Sequence, residues 1–275
     1  MSTNPPDSNP HPDPGPNPDP LPAADPADPA RWRGIAVSAA GSRHELAGAR
    51  TQDASAWLGV HGCGVVVIAD GLGSARRGAL GARFATRAAS RFLSGIPDLA
   101  GIGLGACARH GIEVAADALA RLATKSGIPE RDLATTLAVA VSDGRRTGYA
   151  QVGDGVLVVR KRGGSWGTLT HPFGEWANET ASLADPDWNR WLQSGQLDEP
   201  VETMAGLTDG LAWLALRYPA AEPVAGFFDP LEALVRQQEP ESSASVVRGI
   251  FRTDPIRQRT DDDLTLCLGT RCASS

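Results

Sequence analysis

The sequence predicts an α+β sandwich, with antiparallel sheets packed together and helices outside. Three observations point there. Elements follow one another as strand, two helices, many strands, helices, strand. Turns between the middle strands are short, which favours antiparallel pairing over the long crossovers of a parallel sheet. Beyond a Pro-rich start, about 245 residues remain, enough to bury one substantial core.

The folded body is expected to begin near Arg31. Residues 34–39 read as a first strand, and residues 41–48 as a loop leading to Asp53. Residues 57–69 give one or two strands broken at Gly62 and Gly64. Leu80, Phe84, Ala88 and Phe92 then recur at helical spacing, so a helix is expected from Ser74, as N-cap, to about Leu93. A second helix covers about 105–125, with Ile112, Ala115, Leu119 and Leu122 among its apolar positions. Residues 134–141 are an apolar, β-leaning run that stops at Ser142-Asp143-Gly144, a turn signal. Stretches 148–152, 156–161 and 166–170 complete an expected antiparallel meander. Residues 171–200 read as irregular and hold Trp176, Trp188 and Trp191. Helices near 210–217, 229–238 and 243–252 precede a last strand at 264–270.

Composition sets the outer bounds. Residues 1–30 contain eleven of the 21 prolines, five Asp and no Lys or Arg. Such a stretch cannot bury a core and is expected to be a disordered, extended tail. It lacks the basic start and apolar run of a secretion signal. Without the tail's charge the body stands near −1, against −6 for the whole chain, so nothing marks nucleic acid as a partner. No apolar run reaches the ~18 residues that span a bilayer, so no membrane role is expected. Cys63, Cys107, Cys267 and Cys272 show no metal-type pairing and read as reduced thiols, which suggests the cytoplasm.

The chemistry sits at strand ends. The run Val65 to Ala69 is unbroken, β-branched and apolar, then stops at Asp70-Gly71-Leu72-Gly73. A strand covered on both faces has that character, and a carboxylate directly after it would be costly to bury alone. The same pattern recurs. Asp209 follows residues 201–208, Asp154 stands between two strand-like segments, Asp262 and Asp263 precede the last strand, and Asp53 precedes another. Carboxylates gathered this way repel one another unless cations neutralise them. An all-oxygen ligand set suits Mg²⁺ or Mn²⁺ and not zinc or copper.

Seven motifs occur in order: Gly41-x-x-His44, Gln52-Asp53-Ala54, Asp70-Gly71-Leu72-Gly73, Ala134-Thr135-Thr136-Leu137, Val152-Gly153-Asp154, Thr208-Asp209-Gly210 and Asp262-Asp263-Leu264-Thr265. In this set the chain resembles the metal-dependent Ser/Thr protein phosphatases of the 2C type, in their compact bacterial branch, from about residue 34 to 270. The resemblance implies a four-layer α/β/β/α sandwich, two antiparallel sheets flanked by helices, as a catalytic domain over 31–275 behind the 1–30 tail. It also implies two Mn²⁺ or Mg²⁺ ions held by Asp53, Asp70, the Gly71 carbonyl, Asp209 and Asp262, with Asp70 bridging. A hydroxide between the ions would attack the phosphorus of phosphoserine or phosphothreonine. Asp154 matches a position that can bind a third, looser ion. Thr135 and Thr136 match a strand that supports the core.

Four positions depart from the family pattern. Gly48 stands where many members carry a phosphate-holding Arg, which makes His44 and Arg50 the candidates for that task. Leu72 replaces a His suggested as general acid. Trp213 replaces an acidic residue and weakens the case for the third ion. Ser74 replaces a second Gly. The implied substrate is a phosphorylated protein, with a Ser/Thr kinase pathway as its source by analogy. The alternative is a catalytically weak or inactive module on this fold that binds phosphoproteins or regulates a partner.

Overall fold

The computed structural model describes residues 32–171 and 180–272. The expected 1–30 tail and Trp176 lie outside the described residues. Twelve strands and eight α-helices are described. In chain order they begin with β1 (Trp32–Ala39), α1 (Ser42–Leu46), β2 (Ala54–Val60) and β3 (Cys63–Ala69). Next come α2 (Gly78–Ser94), α3 (Leu99–Ile102), α4 (Leu104–Ser126), β4 (Leu137–Ser142) and β5 (Thr147–Val152). The chain continues through β6 (Val156–Lys161), β7 (Trp166–Thr168), β8 (Gln193–Leu197), β9 (Val201–Leu207) and α5 (Asp209–Ala215). It ends with β10 (Leu216–Arg217), β11 (Glu222–Pro223), α6 (Ala225–Gln237), α7 (Pro240–Phe251), α8 (Asp254–Arg257) and β12 (Leu264–Arg271).

Ten strands form two five-stranded antiparallel sheets, ordered β1-β12-β9-β6-β7 and β2-β3-β4-β5-β8. Three apolar clusters make the layers visible. Along β3, Val65, Val67 and Ala69 face α2 and α4, while Val66 and Ile68 face the other sheet. Along β6, Val156 and Val158 face the α5–α7 side, while Leu157 and Val159 face inward. Every central strand is therefore apolar on both faces, and helices cover the outside. This is the α/β/β/α sandwich.

Between the sheets, Trp57 lies against Gly34 and Gly269, which pair across β1 and β12. A Cβ at Gly269 would stand 1.9 Å from the indole, so only glycine lets the sheets approach here.

Several expectations change. The middle strands are not one meander. β5 pairs with β4 and β8, whereas β6 pairs with β9 and β7, so the chain changes sheet at Gly153-Asp154-Gly155. Gly153 has φ +110° there, a conformation that favours glycine. Of the two glycines expected to break residues 57–69, only Gly62 lies in the turn, with His61, both at positive φ; Gly64 is inside β3. Such a turn suits the twist of a hairpin. Ser74 is not the N-cap of α2, which starts at Gly78. The segment is pinned first, by Leu72 N–H to the Ala134 carbonyl at 3.0 Å and Arg77 N–H to the Asp132 carbonyl at 2.8 Å. The described part of 171–200 is also more ordered than expected: it contains a 3₁₀ turn at Trp188–Trp191 and the edge strand β8.

Candidate metal centre

Register brings the carboxylates to one end of the sandwich. Ala54 pairs with Ala69, so Asp53 and Asp70 stand side by side just beyond β2 and β3. In the other sheet, Leu207 pairs with both Leu266 and Val156. Asp209 therefore follows β9 at the end where Asp154 precedes β6 and where Asp262 and Asp263 precede β12.

Each carboxylate is held differently. Asp53 is buried, and Thr208 Oγ1 donates to its Oδ2 at 2.7 Å. Asp70 is gripped through its backbone. Its N–H donates to Thr136 Oγ1 at 2.9 Å, and its carbonyl accepts from Thr135 Oγ1 at 2.7 Å and Thr136 N–H at 2.8 Å. Gly71 bridges to Thr135 in the pairing where neither residue bonds the other directly, which leaves its carbonyl outside the ladder. A Cβ on Gly71 would come within 2.3 Å of the Gly78 backbone, so this turn and the start of α2 fit only as glycines. Asp154 accepts from Thr180 Oγ1 at 2.8 Å through Oδ2, while its buried Oδ1 has no hydrogen-bond partner among the described residues.

Asp262 and Asp263 have separate tasks. Asp263 is buried and accepts from Gly41 N–H at 2.7 Å and Gln52 N–H at 2.6 Å, with His44 Nδ1 at 2.8 Å. It ties the whole 41–52 loop to the start of β12. Asp262 is half-buried, lies beside Gly210 and is 3.5 Å from Arg43.

The carboxylates feel one another. Burial, then the neighbouring charges of Asp53, Asp209 and Asp154, holds Asp70 well above the usual carboxylate range. Burial pushes Asp53 up to about 7, with Asp263 adding to the rise; hydrogen bonds from Thr208 and Thr265, and one shared with Asp70, oppose it. Asp209 is raised to about 6 by burial and by Asp154 and Asp262. Asp154 is raised by burial, with Asp262 contributing. Six carboxylates from two sheets thus form one electrostatic unit.

The donor set fits divalent cations. It is all oxygen, it contains an orphaned buried carboxylate atom in Asp154, and it offers a carbonyl at Gly71. Among the described residues, no group of three or more His, Cys, Asp or Glu side chains is close enough to hold a metal ion by itself, as a closed cage would. A closed cage is not required, because Mg²⁺ keeps several waters and takes one or two carboxylates.

The candidate phosphate-holding residues sit apart from each other. His44, on α1, is turned to Asp263 and is 17% exposed. Arg50 is exposed and stands near Arg83 of α2, whose guanidinium it disfavours behind the effect of burial. His61, His110 and His171 are all exposed. The sequence alone assigns no role to Thr208 or Thr180, and it places Asp263 among the strand-end carboxylates without a task of its own; Thr208 and Asp263 stand next to the candidate ligands Asp209 and Asp262.

Comparison with known proteins shows the family to which the chain belongs. The profile of the family described as protein phosphatase 2C matches residues 40–248. Serine/threonine-protein phosphatase 3 of Escherichia coli (strain K12) is 30% identical over 246 residues, covering 86% of this chain and 97% of that protein. Among solved structures, the catalytic domain of the serine/threonine protein phosphatase PstP in complex with two manganese ions superposes with a TM-score of 0.59 at 17% identity, over 88% of this chain and 98% of that one. RsbX in complex with magnesium gives 0.53 at 14% identity, over 87% and 95%. At these identities the two structures show a shared fold.

Proposed function

The chain belongs to the protein phosphatase 2C family, and from that premise we propose that it is a metal-dependent phosphatase of phosphoserine and phosphothreonine in proteins. One observation carries the reading: carboxylates from both sheets meet at one end and are pushed above their ordinary range by burial and by each other. The activity named for the Escherichia coli relative supports it, as do the manganese and magnesium in the two structural neighbours.

Asp53, Asp70, the Gly71 carbonyl, Asp209 and Asp262 are the groups that would hold two Mn²⁺ or Mg²⁺ ions, and Asp154 is the candidate for a third. Those ions, when bound, make water nucleophilic near neutral pH and offset charge on the phosphoryl oxygens. The chain's own residues prepare for this. Thr208 occupies Asp53 Oδ2 and orients that carboxylate, while Thr135 and Thr136 fix the Asp70 backbone. Asp263 holds His44 through Nδ1, which leaves Nε2 as the ring atom to meet a phosphoryl oxygen. Arg50 is the second candidate for that contact. Leu72 has no proton to give, so the leaving alkoxide takes one from water or from another group.

We assign the activity to the body from residue 31 on, with a phosphorylated protein as substrate and a Ser/Thr kinase pathway as its source. The buried thiols Cys63, Cys107 and Cys267 support a reducing, cytoplasmic setting. No helix of the described residues is long and apolar enough to cross a membrane.

The test is direct. The purified protein should hydrolyse p-nitrophenyl phosphate and a phosphothreonine peptide with Mn²⁺, and EDTA should abolish this. Asp70→Asn and Asp209→Asn should each lower turnover by orders of magnitude while circular dichroism stays unchanged. Wild-type turnover in both variants overturns the reading.

A further inference from the structure

Two large apolar side chains are exposed on the helices beside the carboxylate site. Among the described residues, the two most exposed large hydrophobic side chains are Leu46, at 91%, and Trp213, at 60%. Single exposed apolar side chains are ordinary on protein surfaces. Both of these lie on helices that border the carboxylate site. Trp213 lies four residues after Asp209 on α5, hence one turn along the same face. Leu46 is on α1, which is pinned beside the Asp261–Asp263 turn. Arg43 N–H donates to the Asp261 carbonyl at 3.3 Å, His44 meets Asp263, and Glu45 pairs with Arg257 at 2.6 Å. Asp262 lies between the two helices, against Gly210 of α5 and near Arg43 of α1.

Trp213 is also braced. Its ring packs on Tyr218 with centroids 4.4 Å apart and planes tilted by 39°. An indole held rigid yet exposed loses little freedom on contact, and Trp is enriched where proteins bind one another.

We infer that Trp213, backed by Tyr218, and Leu46 form an apolar subsite for the residues that flank the phosphorylated side chain of a protein substrate. The inference rests on the phosphatase reading and deepens it. The occupant is chosen by continuity: α1 and α5 border the carboxylates, so a chain whose phosphoryl group lies there has these side chains beside its flanking residues.

The experiment uses the full chain with Mn²⁺ and three substrates: p-nitrophenyl phosphate, a phosphothreonine peptide with Leu on either side, and the same peptide with Gly there. An apolar contact to one side chain discriminates by about 10-fold to 200-fold. Trp213→Ala and Leu46→Ala should each lower kcat/KM for the Leu peptide relative to p-nitrophenyl phosphate by about 10-fold, mainly through KM. The Gly peptide should show little of this loss, and Trp213→Phe should keep most of the preference. An unchanged ratio, or equal losses on the Leu and Gly peptides, overturns the inference. If the wild-type protein hydrolyses none of the three, it is the phosphatase reading that fails. Fluorescence anisotropy of the labelled Leu peptide then decides: weaker binding by Trp213→Ala upholds the subsite, and equal binding removes it.

Discussion

Thr208 shows how one hydroxyl can set the working range of a candidate metal ligand. Its Oγ1 donates to Asp53 Oδ2 at 2.7 Å in a buried setting and opposes the rise in the Asp53 pKa. Without that donor the ionised carboxylate loses a partner worth about 1.5–3 kcal/mol to a charged group. Asp53 would then stay protonated to higher pH, and a cation would have to displace that proton. Thr208→Val should therefore need roughly 10-fold to 100-fold more Mn²⁺ for half-maximal turnover near neutral pH. The gap should narrow above the Asp53 pKa, where both forms are ionised. A Mn²⁺ titration at two pH values checks this, and a gap that stays constant counts against it. The carboxylates were legible in the sequence because Asp70 ends an unbroken apolar run and the strand-end position then recurs at Asp53, Asp154, Asp209 and Asp262. Thr208 was not, because a hydroxyl ending a strand is ordinary. Nor could sequence divide the work between Asp262 and Asp263. Their placement does that: Asp263 turns into the 41–52 loop, where it accepts from Gly41 and Gln52, while Asp262 lies beside Gly210.

At the scale of elements, that loop depends on one side chain. Asp263 accepts from Gly41 N–H, Gln52 N–H and His44, joining α1 and the entry to β2 to the start of β12. Asp263→Ala would strand two backbone donors, each costing about 1–3 kcal/mol if left unpaired. Urea unfolding should show a loss of roughly 2–4 kcal/mol, and activity should fall beyond what the loss of stability explains, because Asp53 ends the same loop. A variant with wild-type stability would show that water satisfies those donors. Long elements such as α4 and β12 were legible because their apolar periodicity is strong. Strand β8, Gln193-Ser194-Gly195-Gln196-Leu197, has no apolar run and lies at a sheet edge, so only its pairing with β5 makes it a strand. Helix α2 was expected at Ser74 because Ser is a good cap, but backbone bonds to Asp132 and Ala134 hold the chain non-helical until Gly78.

For the whole molecule, period-two patterning gives faces and not partners, which is why β5 and β6 read as neighbours although they lie in different sheets. The sandwich they build stores acid–base free energy at one end. Burial raises Asp53 from 3.8 to about 7 and Asp209 to about 6 without metal, and Asp70 and Asp154 also rise. An unfolded chain loses these protons near the ordinary carboxylate value, so across the interval from about 4 to about 7 the folded state binds more of them. Stability of the metal-free protein should therefore fall as pH rises through that interval. Divalent cations act in the opposite sense. They need ionised carboxylates, so their stabilisation should grow over the same interval. Thermal melts from about pH 5 to about pH 8, with EDTA and with Mn²⁺, should show the EDTA curve declining and the gap between the curves widening. A gap of constant size would mean that the ions bind somewhere other than this cluster. A rising EDTA curve would mean that the buried carboxylates are already ionised in the folded state.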